Sequence, residues 1–430
     1  MAVALRLKSS AAVWRSVLPT SALVPNTASS KQIRRFSNSI PHQTFQFNAP
    51  EARPLAGVTV VALEQVISGP YCTRQLADLG ARVIKIERPK TGDFVRYHDK
   101  RVKGLCSHFV WTNRNKESLE LDVKQEKDLK ILQKLLRKAD VFVQNLIPGA
   151  AERLGLGYDR LRELNERLIV CEISGYGSDG PYKKKKAYDL LVQSEAGLLS
   201  ITGTPDQPSK VGASIADIAA GMYAYSGILA ALHQRNKTGK GCRLDVSMLE
   251  SMVEWMGFPM YYAMDGQSPP PRFGSSHASI YPYGQFETGD GSIMLGIQNE
   301  REWVILCEKV LEMPELAKEE RFINTSSRST NREELYKIMC QALSKFTAEE
   351  AIQRLEAAGI ANAMLRDMQG VWDHPQLEAR RRWRDIETEA GMIPTLITPG
   401  MSADVEARLD PTPSVGQHNE KILSELESQD

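Results

Sequence analysis

The protein has 430 residues, of which 42% are hydrophobic and 25% charged, and its formal net charge is +1. This length is enough for two or three domains around a large core. The near-neutral charge argues against nucleic acid as the main partner, because binding many phosphates requires a basic surplus, and no apolar run reaches the roughly 18 residues of a membrane span.

The first 45 residues have the composition of a mitochondrial transit peptide. They contain six basic residues and eight serines, and the first acidic residue of the chain is Glu51. Segments that are basic, rich in serine and free of acids are typical of such signals. The stretch RRFSNS at Arg34–Ser39 resembles a cleavage region for the matrix protease. We therefore predict a mitochondrial matrix protein, with a disordered basic tail as the alternative.

Strand-like and helix-like segments alternate between residues 50 and 265. The clearest unit, LAGVTVVALEQVISGPYCTRQLADLGARVIKIERP, has two β-branched runs flanking a segment of helix length. This pattern predicts an α/β fold with an open, Rossmann-like parallel sheet, whose ligands bind at the carboxyl ends of the strands. The predicted elements are strand Val58–Leu63, helix Tyr71–Leu79, strand Arg82–Glu87, helix Glu126–Lys138, strand Asp140–Gln144, helix Asp159–Asn165 and strand Leu168–Ile173.

The loops after these strands indicate the kind of ligand. EQVISGP, IERPKTGD, QNLIPGA and SGYGSDGPYKKKK are rich in glycine, proline and basic residues, which suits a phosphate-bearing molecule. No G-x-G-x-x-G fingerprint follows the first strand and no Walker loop is present, so no nicotinamide or flavin cofactor is expected. Six scattered cysteines and seven dispersed histidines predict reduced thiols and no metal site.

A Pro/Gly/Ser-rich stretch, DGQSPPPRFGSSHASIYPYG, marks a boundary near Gln267. We predict a large ligand-binding α/β domain over residues 50–265 and a smaller α+β domain over residues 266–372. Residues 373–430 are predicted to return to the large domain.

One carboxylate, Asp217, stands among small and apolar residues in ASIADIAAGMYAYSGILAAL. Aspartate is a favoured N-cap, and a helix could begin at Ile218. Alternatively, an aspartate held ionised by the helix dipole could be a covalent nucleophile toward an activated acyl group. The residues alone leave both interpretations open.

Basic residues follow several strands. KKKKAYD, Lys183–Asp189, is either a solvated loop or a phosphate contact through Lys186, and Arg88 in IERPKTGD is either part of a surface turn or a ligand contact. LELDVK, Leu119–Lys124, is most simply an exposed edge strand that ends on a lysine.

Taken in order, these segments resemble the class III CoA-transferases, which include formyl-CoA transferase, carnitine CoA-transferase and α-methylacyl-CoA racemase. The matching motifs are LAGVTVVALEQVISGPYCTRQLADLGARVIKIERPKTGD, NRNKESLELDVK, ADVFVQNLIPGAAERLGLGYDRL, ISGYGSDGPY, KAYDLLVQSEAG and ASIADIAAGMYAYSGILAALHQRNKTGKGCRLDVSM. The likeness extends from about residue 54 to VGQHNEKIL and is weakest between about 265 and 375.

The resemblance implies that Asp217 is the acyl-accepting nucleophile. It also implies an interlocked-ring homodimer, with acyl-CoA and a carboxylic acid as the small-molecule partners. The residues that fall where the family contacts coenzyme A are Ile67, Ser68, Arg88, Leu121, Lys124, Asn145, Arg153, Lys186 and Asp189.

Two other functions remain open under this resemblance. A racemase needs a second acid–base group, usually a histidine, where this chain has Tyr188 in AYDLL; the usual pKa of tyrosine, about 10, makes it a poor base. Transfer is therefore favoured over racemisation. A CoA-binding protein that has lost turnover is the third possibility.

The substrates are expected to be succinyl-CoA and a dicarboxylic acid. RFGSSHASIYPYGQFETGDG resembles the succinyl-CoA:glutarate branch of the family, so glutarate or an itaconate-like acid is the expected acceptor. A dicarboxylate needs a cation for its far end, and a surface ion pair is the alternative role for each arginine considered. The candidates, by position only, are Arg96, Arg101, Arg272 and His277.

Overall fold

The computed structural model describes residues 53–428, so the predicted transit peptide lies outside the described residues. A six-stranded parallel sheet forms the centre of the large domain. Its strands stand in the order β3-β2-β1-β4-β5-β6, so the chain reverses its direction of winding between β1 and β4. Such a switch point opens a crevice at the carboxyl ends of the two strands. The strands are β1 Thr59–Leu63, β2 Arg82–Glu87, β3 Lys116–Glu120, β4 Val141–Gln144, β5 Ile169–Ser174 and β6 Arg243–Ser247.

Helices cover both faces of this sheet, as a parallel sheet requires. Val60 packs in the core on one face, with residues of the long helix α8, and its neighbour Val61 packs in a second core on the opposite face. The helices are α1 Ser68–Asp78, α2 Ser107–Asn113, α3 Glu126–Lys138, α4 Ala150–Arg153, α5 Tyr158–Leu164, α6 Asp189–Glu195, α7 Leu198–Ile201, α8 Ile215–Thr238, α9 Met248–Trp255, α10 Gly257–Tyr262, α11 Glu300–Ile305, α12 Thr325–Thr330, α13 Arg332–Leu343, α14 Ala348–Ala358, α15 Met368–Trp372, α16 Pro375–Ala379 and α17 Asn419–Glu427.

Helix α1 begins earlier than the predicted Tyr71. Gly69 and Pro70 suggested a loop, but both lie in the first turn of α1, which starts at Ser68. Proline is tolerated in a first helical turn, because the N–H that it lacks would have no intrahelical partner there. Ser68 therefore stands at the helix N-terminus, directly above the carboxyl end of β1.

Strand β3 is an edge strand of the sheet, but it overlaps the predicted edge strand Leu119–Lys124 only at Leu119 and Glu120. The prediction that this strand is exposed is also wrong. The backbone N–H of Ser118 donates to His418 Nδ1 (3.1 Å), and that of Glu120 donates to Asn419 Oδ1 (2.9 Å). The C-terminal segment and α17 thus satisfy the edge of the sheet.

Helix α8 is 24 residues long, with a mean hydropathy of 1.5 over its most apolar 18-residue window. Among the described helices it is the one long and apolar enough to cross a membrane. Its buried alanines and Ile228 share one core with β1, β2 and β5, so the apolar composition of α8 is explained by packing on the sheet.

Residues 281–360 build a separate hydrophobic core around Trp303, Phe322 and Leu343. An antiparallel sheet in the order β7-β8-β9 supports this core, and β10 and β11 form an antiparallel pair in the segment that returns to the large domain. These strands are β7 Tyr283–Glu287, β8 Ser292–Gly296, β9 Ala361–Met364, β10 Trp383–Ile386 and β11 Ile393–Leu396.

Candidate functional site

At the crevice between β1 and β4, one side chain links the segments that follow the two strands. Asn145, immediately after β4, accepts a hydrogen bond from the backbone N–H of Gln65 (2.9 Å) and donates to the carbonyl of Gln65 (2.8 Å). The same amide donates to the hydroxyl oxygen of Ser68 (3.3 Å). Two residues of the predicted coenzyme A site, Ser68 and Asn145, therefore meet at the switch point of the sheet.

Asp217 is not the N-cap of its helix, so the capping interpretation is wrong. Helix α8 begins at Ile215 with Ser214 as its N-cap residue, which places Asp217 third in the helix. The carboxylate that serves the helix end is Asp189, whose Oδ1 accepts from the backbone N–H of Ala216 (2.8 Å). The other oxygen of Asp189 accepts from Gln193 (2.7 Å). Asp217 is therefore left for another role.

A close crossing of α1 and α8 brings Asp217 to Ser68. A Cβ atom at Gly221 would lie 2.8 Å from the carbonyl oxygen of Ser68 and 3.0 Å from the ring of Tyr71. Only glycine permits this approach without a shift of one helix. One helical turn before Gly221, Asp217 receives hydrogen bonds from the hydroxyl and the backbone N–H of Ser68.

The environment raises the pKa of Asp217 to about 7. Burial is the main cause, the nearby charge of Asp189 adds to it, and the hydrogen bonds from Ser68 oppose both. The expectation that the helix dipole keeps this carboxylate ionised is thus outweighed by burial. An acid whose pKa lies this close to neutrality, at the switch point of the sheet, is characteristic of a functional site.

Four basic side chains that were predicted to contact coenzyme A lie in the segments that follow the carboxyl ends of β2, β3, β4 and β5. All four are exposed, and none forms an ion pair with a described residue. Lys185, next to one of them, is instead paired with Glu195. Unpaired cations at this edge of the sheet are available to phosphates. The four are Arg88, Lys124, Arg153 and Lys186.

Ile67 and Leu121 were predicted to be apolar walls for adenine. Each is only 4% exposed, and the side chain of Leu121 belongs to the core on one face of the sheet. A ligand would therefore meet mainly the backbone of these two residues.

A fully buried group of charges supports the first turn of α1, and the sequence interpretation missed it. Lys116 Nζ donates to Glu64 Oε1 (2.7 Å) and to the carbonyl of Pro70 (3.0 Å), while Lys85 Nζ donates to Asp93 Oδ2 (3.0 Å). Burial lowers the pKa of Lys116 to about 8, although Glu64 opposes this shift. The available signal was a lysine inside an apolar strand pattern, VIKIE and NKESLEL.

The candidates for the far carboxylate of a substrate differ in their present partners. Arg96 donates to both oxygens of Glu87 (2.9 and 2.7 Å), stacks on Phe109, and would have to leave Glu87 to bind a substrate. Arg272 donates only to neutral carbonyls, among them that of Pro205 (2.7 Å), and so retains an uncompensated charge.

Of the other two candidates, His277 accepts at Nδ1 from the backbone N–H groups of Ser279 (3.2 Å) and Ile280 (3.0 Å). Its ring stacks on Tyr283. Arg101 is exposed and forms no ion pair with a described residue. Arg101 and Arg272 are thus the two arginine candidates whose charge is not neutralised.

The prediction of no metal site overlooked one spatial cluster. Among the described residues, ligand atoms of Asp99, Cys106 and His108 lie within 4.8 Å of one another. The carboxylate of Asp99 already accepts from Ser107 Oγ (2.7 Å) and from the N–H of Arg101 (2.9 Å). Because these bonds occupy the carboxylate, we assign no metal to the cluster.

Comparisons with known proteins identify the family of the chain. Residues 55–419 match the profile described as CoA-transferase family III. The chain is 35% identical over 382 residues to a succinyl-CoA:glutarate CoA-transferase of Homo sapiens, covering 87% of this chain and 86% of the relative. It is 33% identical over 394 residues to a succinyl-CoA:mesaconate CoA-transferase of Haloarcula hispanica, covering 86% of this chain and 96% of the relative. The crystal structure of a CaiB/BaiF family protein from Brucella suis superposes with a TM-score of 0.79 at 32% identity, covering 87% of this chain and 99% of that one.

Proposed function

Because the chain belongs to CoA-transferase family III and is a CoA-transferase, we propose that it moves CoA from succinyl-CoA to a C5 dicarboxylic acid such as glutarate or an itaconate-like acid. Asp217 is the nucleophile of this proposal. The observation that carries it is the placement of a half-buried Asp217 against Ser68 at the switch point, with four unpaired cations at the same edge of the sheet. The relatives named for succinyl-CoA with glutarate or mesaconate support the substrate class.

The proposed reaction conserves the activation of the thioester. An Asp217 oxygen attacks the carbonyl of succinyl-CoA, and the C–S bond breaks. CoA departs as the thiolate, and a mixed succinyl-aspartyl anhydride remains on the protein. The thiolate then attacks the aspartyl carbonyl, releasing succinate and forming an aspartyl-CoA thioester. The acceptor carboxylate attacks the carbonyl of this thioester and expels CoA thiolate, which gives a mixed anhydride between Asp217 and the acceptor. The thiolate then attacks the acceptor carbonyl of the anhydride, which gives the new acyl-CoA and frees the carboxylate of Asp217.

A carboxylate suits this relay better than a hydroxyl group would. An ester on serine lies well below a thioester in free energy and would trap the acyl group, whereas an anhydride and an aspartyl thioester remain reactive. Ser68 donates two hydrogen bonds to Asp217, which fixes the attacking carboxylate without forming a covalent bond.

An acceptor screen tests the proposed substrates. Purified protein with succinyl-CoA and dicarboxylic acids of four to six carbons is expected to yield the new acyl-CoA fastest with a C5 acid, detected by chromatography and mass spectrometry. A CoA-binding protein without turnover would yield none. Rapid transfer to monocarboxylic acids only would contradict the dicarboxylate assignment.

The pH dependence of transfer is a separate prediction. Only the ionised carboxylate attacks, so kcat/KM should rise with pH through the pKa of Asp217, about 7. Replacing Asp189 with Asn removes a charge that raises this pKa, so the rising limb should move to lower pH. The test is to measure kcat/KM for the unaltered protein and for the Asp189→Asn variant from pH 5 to pH 9 and to compare the positions of the rising limbs. An unchanged limb would show that Asp189 does not set the ionisation of Asp217.

Racemisation remains the alternative within the family. It requires a second proton-transfer group near the α-carbon, and the chain offers Tyr188 there, whose side chain is 69% exposed. Deuterium incorporation from D₂O into 2-methylacyl-CoA, without transfer of CoA, would favour the racemase.

We also propose an interlocked homodimer in the mitochondrial matrix. Helix α10 supports the dimer, because Phe258 (67% exposed) and Tyr261 (77% exposed) place large aromatic side chains on the surface, and exposed apolar patches commonly mark protein–protein interfaces. Sedimentation at the monomer mass would contradict the dimer. An intact Met1 on protein from purified mitochondria would contradict import and cleavage.

A further inference from the structure

A cavity of about 730 Å³ lies between the segment that follows α16 and the loop after β11. Four arginines line it, Arg380, Arg381, Arg382 and Arg384, and its lining contains a single acid, Glu406. Ile397 and Leu409 add apolar surface. We call this cavity the arginine groove. Its volume falls in the range of small-molecule sites, about 300–1,000 Å³.

The charges of the arginine groove are not neutralised by the part of the chain that the structure describes. None of its four arginines forms an ion pair with a described carboxylate. Arg382 donates to the carbonyls of Ile397 (2.8 Å) and Thr398 (3.0 Å). Carbonyl partners satisfy the N–H groups but leave the positive charge in place.

The burial of Arg384 makes the unneutralised charge of the groove unfavourable in free energy. Arg384 is 6% exposed, and its Nη1 donates to the carbonyls of Trp383 (2.8 Å) and Arg381. Burial and the neighbouring charges of Arg382 and Arg381 lower its pKa. A buried cation among like charges is unfavourable without a counter-charge, and a bound anion would supply one.

We propose that the arginine groove binds a polyphosphate anion, in the manner of a nucleoside diphosphate. Guanidinium groups present two parallel N–H donors that match phosphate oxygens, and several of them together favour an anion with more than one phosphate. The apolar side chains of Ile397 and Leu409 suit the less polar part of such a ligand.

The arginine groove is distinct from the Asp217 site. The Thr398 hydroxyl, beside the groove, donates to Asp78 at the C-terminal end of α1, whereas Ser68 stands at its N-terminal end. A helix of 11 residues is about 16 Å long. The groove therefore lies toward the amino ends of the strands, whereas the proposed coenzyme A site lies at their carboxyl ends.

The test is calorimetric titration of the full-length protein with pyrophosphate and, separately, with ADP, after saturation with CoA to fill the catalytic site. The double variant R380Q/R381Q removes two exposed guanidinium groups and should weaken binding at least tenfold. The control R160Q/R354Q removes the same charge from exposed ion pairs elsewhere and should bind as the unaltered protein does. Both variants should retain the transfer rate.

The two probes separate the sources of the phosphate. Equal affinity for pyrophosphate and ADP would assign recognition to the diphosphate, and tighter binding of ADP would add a contribution from the nucleoside. The proposal is overturned if neither probe binds, or if the control variant loses as much affinity as R380Q/R381Q.

Discussion

Asp217→Asn is expected to abolish CoA transfer, lowering kcat by at least about a thousandfold, as loss of a catalytic nucleophile does in other enzymes. An amide cannot attack the thioester, so neither the anhydride nor the aspartyl thioester forms. The change keeps the size of the side chain and leaves Arg88, Lys124 and Arg153 in place. Affinity for CoA should therefore stay within a few-fold of the original.

The measurement combines exchange kinetics with trapping of the adduct. Hydroxylamine added during turnover should convert the activated aspartate to a hydroxamate on the peptide that contains Asp217, and the D217N protein should give none. Asp159→Asn, an exposed acid in α5, is the matched control and should retain both turnover and label. Full activity in D217N, or a label on another residue, would contradict the proposed nucleophile.

Local patterns were sufficient for the framework of the large domain. Strand Arg82–Glu87 and helix Glu126–Lys138 were predicted to the residue, because each has a clean period bounded by turn residues or by charges that favour helix ends. The start of α1 was predicted late because Pro70 suggests a loop wherever its position within a helical turn is unknown.

The sequence singled out Asp217 but did not predict the geometry around it. The small residues around Asp217 marked it as unusual, yet its distinction from an N-cap depends on Asp189, which is distant in sequence and accepts from Ala216. The pKa of Asp217 likewise depends on burial by the crossing of α1 and α8. No local pattern contains such long-range contacts.

The same limit explains why the buried charges of Glu64, Lys85 and Lys116 were missed. Lys116→Met should lower the free energy of unfolding by about 3–5 kcal/mol, the usual cost of leaving one partner of a buried pair uncompensated. The group left behind is Glu64, whose pKa is held below its usual value by Lys116 and Lys85 against the opposing effect of burial. The carbonyl of Pro70 also loses a donor, so the turn that presents Ser68 to Asp217 should loosen and kcat should fall.

Two further variants separate charge from packing in urea unfolding. In E64Q/K116M the buried carboxylate is gone, so part of the lost stability should return, because replacing both partners of a buried pair costs less than removing one. Lys421→Met breaks the exposed pair with Glu117 and should cost less than about 1 kcal/mol. If K116M unfolds no more easily than K421M, the buried charges do not support α1. If the double variant is weaker than K116M, lost packing rather than unpaired charge explains the effect.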